Sequence, residues 1–321
     1  MDQVSIGIDI GGTNTVLGAV DRSGRIVASQ TMATETSRDY HPYMESLCKA
    51  IEDLIKSTEA DHEVAGIGVG APNGNFYNGT IEFAPNLKFE GIVPVVEFIK
   101  NRIDTGFVAL TNDANAAAMG EMIFGGAAGM KNFIMMTLGT GVGSGIVVNG
   151  ELVYGHDGFA GEIGHTIVFP GGRVCGCGRR GCLETYASAR GIKRTVSELL
   201  SVYNDDSRLR EVPFKRLSAK TIDGAARAGD RIALEAFDYT GRILGMKLAD
   251  AVAHTSPEAI FLFGGLANAG ELIFDPVKKY MEEYMLNIFK NKVGLLPSRL
   301  PEGNAAILGA AALVWKEVLN Y

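Results

Sequence analysis

The chain of 321 residues is long enough for a large core and for two domains. Hydrophobic residues at 46% and charged residues at 21% are ordinary for a soluble globular protein. Thirty basic against 37 acidic side chains give a formal charge of −7, which argues against a general nucleic-acid or anionic-membrane surface. The clustered positives in VCGCGRRGC and PFKRLSAK read as solvated faces. The opening MDQVSIGIDIGGT lacks the basic segment, apolar run and small-residue cleavage site of a secretory leader. No apolar stretch approaches the roughly 20 residues a bilayer crossing needs.

In chain order, VSIGIDIGG, TVLGAVD and RIVASQTM alternate in the strand manner, and their close spacing predicts antiparallel hairpins. A helix is expected over YHPYMESLCKAIEDLIKS, with positions 44, 47, 51, 54 and 55 on one apolar face. VAGIGVGAP reads as a buried strand over 64–72, NGNFYNGTIEFAPNL as a loop, 94–103 as a helix and FVALTND as another strand. That order is mixed, unlike the repeated βαβ unit of a dinucleotide fold. FIMMTLGTGVGSGIVVNGELV repeats the opening grammar of strand, glycine turn and hairpin, which predicts a duplicated architecture. Helices are expected near 185–202, 221–229, 230–254 and 269–288, with the buried strand AIFLFGG between the last two. GNAAILGAAALVWKEVL is a terminal helix whose alanines permit close packing.

Three glycine turns sit at strand ends. Asp9 closes the first strand, and Gly11, Gly12, Thr13 and Thr15 follow in the turn; glycines bring N–H groups close to a ligand and the threonines add hydroxyls. Gly139, Thr140 and Gly141 form the second, and Gly264-Gly265 the third, read as opening a helix at its positive end. Together they point to phosphate binding, with Asp9 carrying Mg²⁺ through water. The P-loop motif is absent, GTGVGSG is followed by a strand rather than a helix, and Gly143-Ser144-Gly145 lacks nucleophile-elbow spacing. Asn112-Asp113 closes a strand and starts an alanine-rich helix, so Asp113 is either a cap or a general base for an attacking hydroxyl.

His165, Cys175, Cys177 and Cys182 form H-x9-C-x-C-x4-C. A Cys3His set fills a tetrahedral Zn²⁺ shell and leaves no water position, the structural rather than the catalytic pattern. Thiolate ligands fit a reducing cytosol, and Cys48 reads as a small buried hydrophobe. Glu162 and Glu184 flank the metal loop, and with the amides of Asn86 and Asn112 they suit the hydroxyls of a sugar.

These motifs resemble the sugar kinases of the ROK family (repressors, open reading frames and kinases), in the actin/hexokinase-like ATPase group. DIGGT, NDAN, LGTGVGSG, EIGH, CGCGRRGCLE and FGG carry the resemblance across nearly the whole chain. The resemblance implies an α/β, two-lobed ribonuclease-H-like fold, with one lobe from 1–112 plus 303–321 and the other from 113–302. It also implies a cleft between the lobes and homodimers or homotetramers, with no nucleic-acid or membrane partner. By motif, Asp113 resembles the base that deprotonates a hexose 6-hydroxyl. Asn112, Glu162, His165 and Glu184 resemble the sugar-binding set, and Asn73-Gly74 stand where the loop after Pro72 helps hold the sugar. Gly11, Gly12, Thr13, Thr140, Gly141 and Gly265 resemble contacts to ATP phosphates, with adenosine toward Gly264-Gly265. Repressor members carry an N-terminal helix-turn-helix extension, and here the first strand is expected almost at once. The expected activity is ATP-dependent hexose 6-phosphorylation, glucose foremost. N-acetylmannosamine or N-acetylglucosamine kinases and a non-catalytic sugar sensor stand as alternatives.

Overall fold

Val4, Ile6, Ile8 and Ile10 place four fully buried side chains on one face of β1 (Asp2–Ile10), the central strand of the first sheet. β2 (Asn14–Asp21) pairs antiparallel with β1, and β3 (Ile26–Ala33) antiparallel with β2. α1 (His41–Thr58) covers this sheet with Tyr43, Met44, Leu47, Cys48, Ile51 and Leu54, while Ile55 is half-buried. β4 (His62–Ala71) runs parallel to β1. The computed structural model describes residues 2–34, 37–58 and 60–319.

The stretch expected to be a plain loop instead holds a small antiparallel sheet of β5 (Gly74–Asn75), β6 (Thr80–Glu82) and β7 (Ile92–Val93). Asn75 holds it together, donating from Nδ2 to Glu82 Oε1 at 3.0 Å and to the Asp157 carbonyl at 2.9 Å. Such long-range amide contacts leave no periodic trace in the sequence. α2 (Val95–Lys100) is shorter than expected, and β8 (Val108–Asn112) pairs parallel with β4 before α3 (Asp113–Phe124) begins.

β9 (Phe133–Leu138), β10 (Val142–Val148) and β11 (Glu151–Leu152) then repeat the opening pattern. Asn149 at φ 55° and Gly150 at φ 83° make the tight turn between β10 and β11, as an Asn-Gly pair favours. α4 (Glu184–Ala187) and α5 (Ala189–Val202) replace the single helix expected over 185–202. The break is at Ser188, whose extended backbone lets its hydroxyl cap α5 by accepting from the Gly191 amide at 3.0 Å.

α6 (Ala219–Arg227), α7 (Arg231–Thr255), β12 (Ala259–Phe263), α8 (Glu271–Tyr284), β13 (Gly294–Pro297) and α9 (Ala305–Leu319) complete the chain. β13 was not legible, being four residues that end in proline at a sheet edge. The second sheet has the order β11-β10-β9-β12-β13, matching β3-β2-β1-β4-β8 strand for strand, so the expected duplication of architecture is present.

α9 lies so close to the first sheet that β1 and β4 need glycine beneath it. A Cβ on Gly7 would stand 2.2 Å from the Ile307 carbonyl oxygen, and one on Gly68 1.9 Å from that of Ala310. α7 and α8 pack in the same way, with Gly241 against Pro276.

The chain divides into two compact units, one of 1–131, 145–161 and 298–321 and the other of 132–144 and 162–297. This differs from the expected division at 112/113 and 302/303. α3 belongs with α9, because Gly309 and Gly120 let the two helices touch; a Cβ on Gly309 would meet the Ala116 carbonyl oxygen at 2.6 Å. Gly145 likewise seats 145–161 against α3, close to Ala118. No helix among the described residues is long and apolar enough to cross a membrane.

Candidate active site

In the first unit, the carboxyl ends of three parallel strands bring the first group of predicted residues together. Asp9 on β1 lies opposite Gly70 on β4, and Ala71 on β4 lies opposite Asn112 on β8. Ligands of open α/β sheets bind at such strand ends. Asn112 caps α3, its Oδ1 accepting from the Ala114 amide at 2.8 Å, and Asp113 Oδ1 accepts from the same amide at 2.8 Å.

Surrounding protein strips water from Asp113 and raises its pKa above the ordinary carboxylate value, against the two backbone hydrogen bonds that lower it. Its side chain still touches solvent. Asp9 is half-buried, and burial first, then the charge of Asp113, lift its pKa to about 6. The pair is a concentration of negative charge that a hydrated divalent cation would relieve, and carboxylate oxygens are the donors Mg²⁺ prefers.

Gly12 and Thr13 are exposed at the first turn, and Gly12 is pressed against Asn86, whose carbonyl oxygen would lie 2.7 Å from an added Cβ. Thr15 departs from expectation. Its hydroxyl is fully buried and lies 2.9 Å from Thr34 Oγ1 and 2.7 Å from the Tyr43 hydroxyl, so it faces the core rather than a phosphate. Thr13 lies in the exposed turn just before β2 begins at Asn14, whereas Thr15 lies within the strand and is buried. Asn73 sits at φ 51° with its amide nitrogen spent on the Glu82 and Phe83 carbonyls at 3.0 and 3.3 Å. Gly74 is buried where a Cβ would meet the Thr111 carbonyl oxygen at 2.4 Å, so it serves close packing. Only the Oδ1 of Asn73 is left from this pair for a hydroxyl.

In the second unit, Gly139, Thr140 and Gly141 close on themselves, the Gly139 amide donating to the Gly141 carbonyl at 3.1 Å, with Thr140 exposed. Ala189, the first residue of α5, donates its amide to the Gly139 carbonyl at 2.9 Å. Gly264, at φ 99°, folds over the end of β9, and the Leu266 amide reaches the Leu138 carbonyl at 3.2 Å. The expected long helix does not start at Gly265. A short 3-10 turn, Ala267–Ala269, intervenes, and Gly270 at φ 60° delays α8 to Glu271. Gly265 remains exposed with open space at its α-carbon.

Glu162 and His165 share one 3-10 turn, the His165 amide donating to the Glu162 carbonyl at 3.0 Å. Glu184 heads α4, and its Oε2 accepts from the Val142 amide at 3.1 Å, beside the second glycine turn. His165, Cys175, Cys177 and Cys182 bring their ligand atoms within 4.8 Å of one another. Cys175 Sγ is 3.7 Å from His165 Nδ1, and Cys177 and Cys182 Sγ are 3.7 Å apart. Tetrahedral metal–sulfur bonds of about 2.3 Å would set sulfurs about 3.8 Å apart, which the Cys177–Cys182 pair already matches, and the whole set is close enough to converge on one metal. His165 turns Nδ1 to the thiols, which leaves its other ring nitrogen for a ligand.

Two arginines were missed. Arg179, read as part of a solvated face, donates to the His165 carbonyl at 2.7 Å. Arg173 is nearly buried and donates to the Thr185 carbonyl at 2.8 Å, to Thr195 Oγ1 at 3.0 Å and to Glu198 Oε1 at 2.9 Å, with its guanidinium 4.4 Å from the Tyr186 ring centroid. It fastens the thiol loop to α4 and α5. Nothing local in RVCGCG separates it from a surface charge.

Two sheets of one strand order, each with a glycine turn after its central strand, define the actin/hexokinase-like ATPase fold. The chain belongs to the ROK family, whose model matches residues 5–317. It is 34% identical over 316 residues to a glucokinase of Thermotoga maritima, covering 98% of each chain. A ROK family glucokinase from Streptomyces griseus, solved in complex with glucose and AMPPNP, matches with a TM-score of 0.79 and 34% identity over 97% of this chain and 98% of that one. A ROK family transcriptional regulator, a homolog of the E. coli MLC protein, matches with a TM-score of 0.86 and 25% identity, over 98% of this chain and 78% of its own.

Proposed function

We infer that this protein is an ATP-dependent glucokinase that transfers the γ-phosphoryl group of ATP to the 6-hydroxyl of glucose. The observation that carries the reading is Asp113, a solvent-touching carboxylate fixed at the end of β8 on the first residue of α3. As the sugar oxygen attacks the γ-phosphorus, Asp113 takes the hydroxyl proton and the bond from phosphorus to the ADP oxygen breaks. Such transfers need orientation and charge neutralisation more than a strong base.

Glu162, His165, Glu184, Asn112 and Asn86 supply hydrogen bonds to sugar hydroxyls. The turns at Gly11–Thr13, Gly139–Gly141 and Gly264–Gly265 supply backbone N–H groups to the nucleotide. Asp9 would hold Mg²⁺ through water, and that ion supplies neutralisation of the phosphates. The Cys3His set would hold Zn²⁺ in a structural role. A reducing compartment such as the cytoplasm suits those thiols. Assembly as a homodimer or homotetramer follows the family expectation.

A coupled ADP-release assay with glucose, N-acetylglucosamine and N-acetylmannosamine tests the substrate. Glucose should give the highest kcat/KM. A preference for either N-acetylated sugar would move the assignment to that kinase, and sugar binding without ADP release would make the chain a sensor.

A further inference from the structure

Beneath the first glycine turn runs a line of buried hydroxyls that no reading of the phosphate site requires. The Thr34 hydroxyl donates to the Gly11 carbonyl at 2.7 Å. Thr15 Oγ1 lies 2.9 Å from Thr34 Oγ1, and the Tyr43 hydroxyl lies 2.7 Å from Thr15 Oγ1. Thr15, Thr34 and Tyr43 are all buried, and the Tyr43 ring packs on Phe89 with centroids 5.0 Å apart.

Each hydroxyl has one proton to give, which fixes the direction of the line. Thr34 spends its proton on Gly11, so Thr15 must donate to Thr34, and Tyr43 must donate to Thr15. The result is a one-way chain from Tyr43 to the Gly11 carbonyl, in which each bond polarises the next.

That carbonyl belongs to the same peptide unit as the Gly12 N–H. No peptide bond among the described residues is cis, and in a trans unit C=O and N–H point in opposite directions. With the carbonyl held inward, the Gly12 N–H is turned away from the relay, on a residue that is exposed. The Thr34 amide also donates to the Thr13 carbonyl at 2.9 Å, so one residue grips the turn on both sides of Gly12. The turn itself is closed by the Gly11 amide on the Asn14 carbonyl at 3.0 Å.

We propose that the Tyr43–Thr15–Thr34 relay is a positioning device for the nucleotide: it fixes the Gly11–Gly12 peptide plane and polarises the Gly12 N–H as a donor to an ATP phosphate. Thr34 and Tyr43 are positioning residues, because neither touches the nucleotide. The inference rests on the ATP reading of the first turn.

The test measures AMPPNP affinity by calorimetry in the presence of Mg²⁺, with KM for ATP and for glucose measured beside it. Thr34→Val keeps the shape and loses the hydroxyl; it should weaken AMPPNP binding about three- to tenfold, the effect of one hydrogen bond. KM for ATP should rise by a similar factor while KM for glucose stays within about twofold, and Thr34→Ser should restore both. Tyr43→Phe, which cuts only the far end of the line, should act in the same direction and less strongly. Unchanged AMPPNP affinity in both Thr34→Val and Tyr43→Phe would overturn the relay. So would equal losses for sugar and nucleotide, or failure of Thr34→Ser to restore affinity. If Thr34→Val does not fold, the Tyr43→Phe result decides. A wild-type protein that binds AMPPNP and phosphorylates no sugar would sink the kinase reading and leave the relay to the binding data; one that does not bind AMPPNP would sink both.

Discussion

The Glu184 carboxylate accepts a hydrogen bond from the Val142 amide at 3.1 Å, and its other oxygen lies 3.6 Å from Cys175 Sγ. One side chain therefore couples the thiol loop to the second glycine turn, and Gly141 is glycine because that carboxylate occupies the space beside it. A Cβ on Gly141 would stand 2.3 Å from Glu184 Oε2. Gly141→Ala should push Glu184 aside and lower kcat/KM by about 10- to 100-fold, as displaced binding groups do. Steady-state kinetics with metal analysis checks this, since the metal should be retained.

Asp113→Asn should keep glucose binding and lose turnover by about 10²- to 10⁴-fold, the usual contribution of a general base. Calorimetry with glucose and a single-turnover assay separate the two effects. Near-normal turnover would remove Asp113 from the base role.

Asp9 makes stability depend on pH in a stated direction. Its folded pKa, about 6, lies above the ordinary 3.8. The native state therefore binds the proton more tightly, and Asp9 costs nothing below about 3.8. Its cost grows as pH rises through that window and is complete above about 6. Roughly two pH units at about 1.4 kcal/mol each bound the cost at about 3 kcal/mol. Asp9→Asn should thus melt higher than wild type at pH 7 and converge with it near pH 4, measured without nucleotide, while kinase activity falls. Identical melting curves at both pH values would show that the Asp9 carboxylate is not under strain.

Cys177→Ser should release the metal, which elemental analysis reads directly, because it breaks a closed four-ligand set. Sugar affinity should weaken as a secondary effect, since Glu162, His165 and Glu184 border the same loop. Full activity in verified metal-free protein would separate the thiol site from the chemistry.

Arg173→Met should destabilise the second unit by about 2–4 kcal/mol, since it leaves the Thr185 carbonyl and Thr195 hydroxyl without their buried donor. Chemical denaturation measures the loss, and lowered metal retention should accompany it.

The local signals in this chain proved readable wherever a few neighbouring residues suffice. Alternation gave β1–β3, the Asn149-Gly150 pair gave its hairpin, and the apolar stripe of α1 gave its buried face. The Cys3His spacing predicted four ligand atoms that do come together. The site was less readable where inward and outward positions depend on distant partners. Thr15 was placed among phosphate donors until Thr34 and Tyr43 claimed its hydroxyl. Arg179 was read within a solvated face and Arg173 was not singled out, because their acceptors lie 12 to 25 positions away.

The sequence by itself determined the family, the duplicated pattern of glycine turn and hairpin, the acid at position 113 and the Cys3His cluster, because each is written in contiguous residue types and spacings. Only the tertiary structure decided that α3 belongs with α9, that Ser188 splits a helix, and that Glu184 ties the thiol loop to the second turn. Those outcomes turn on which backbones can approach within van der Waals distance. That is settled by glycines such as Gly309 and Gly141 meeting partners far along the chain, a relation no local pattern carries.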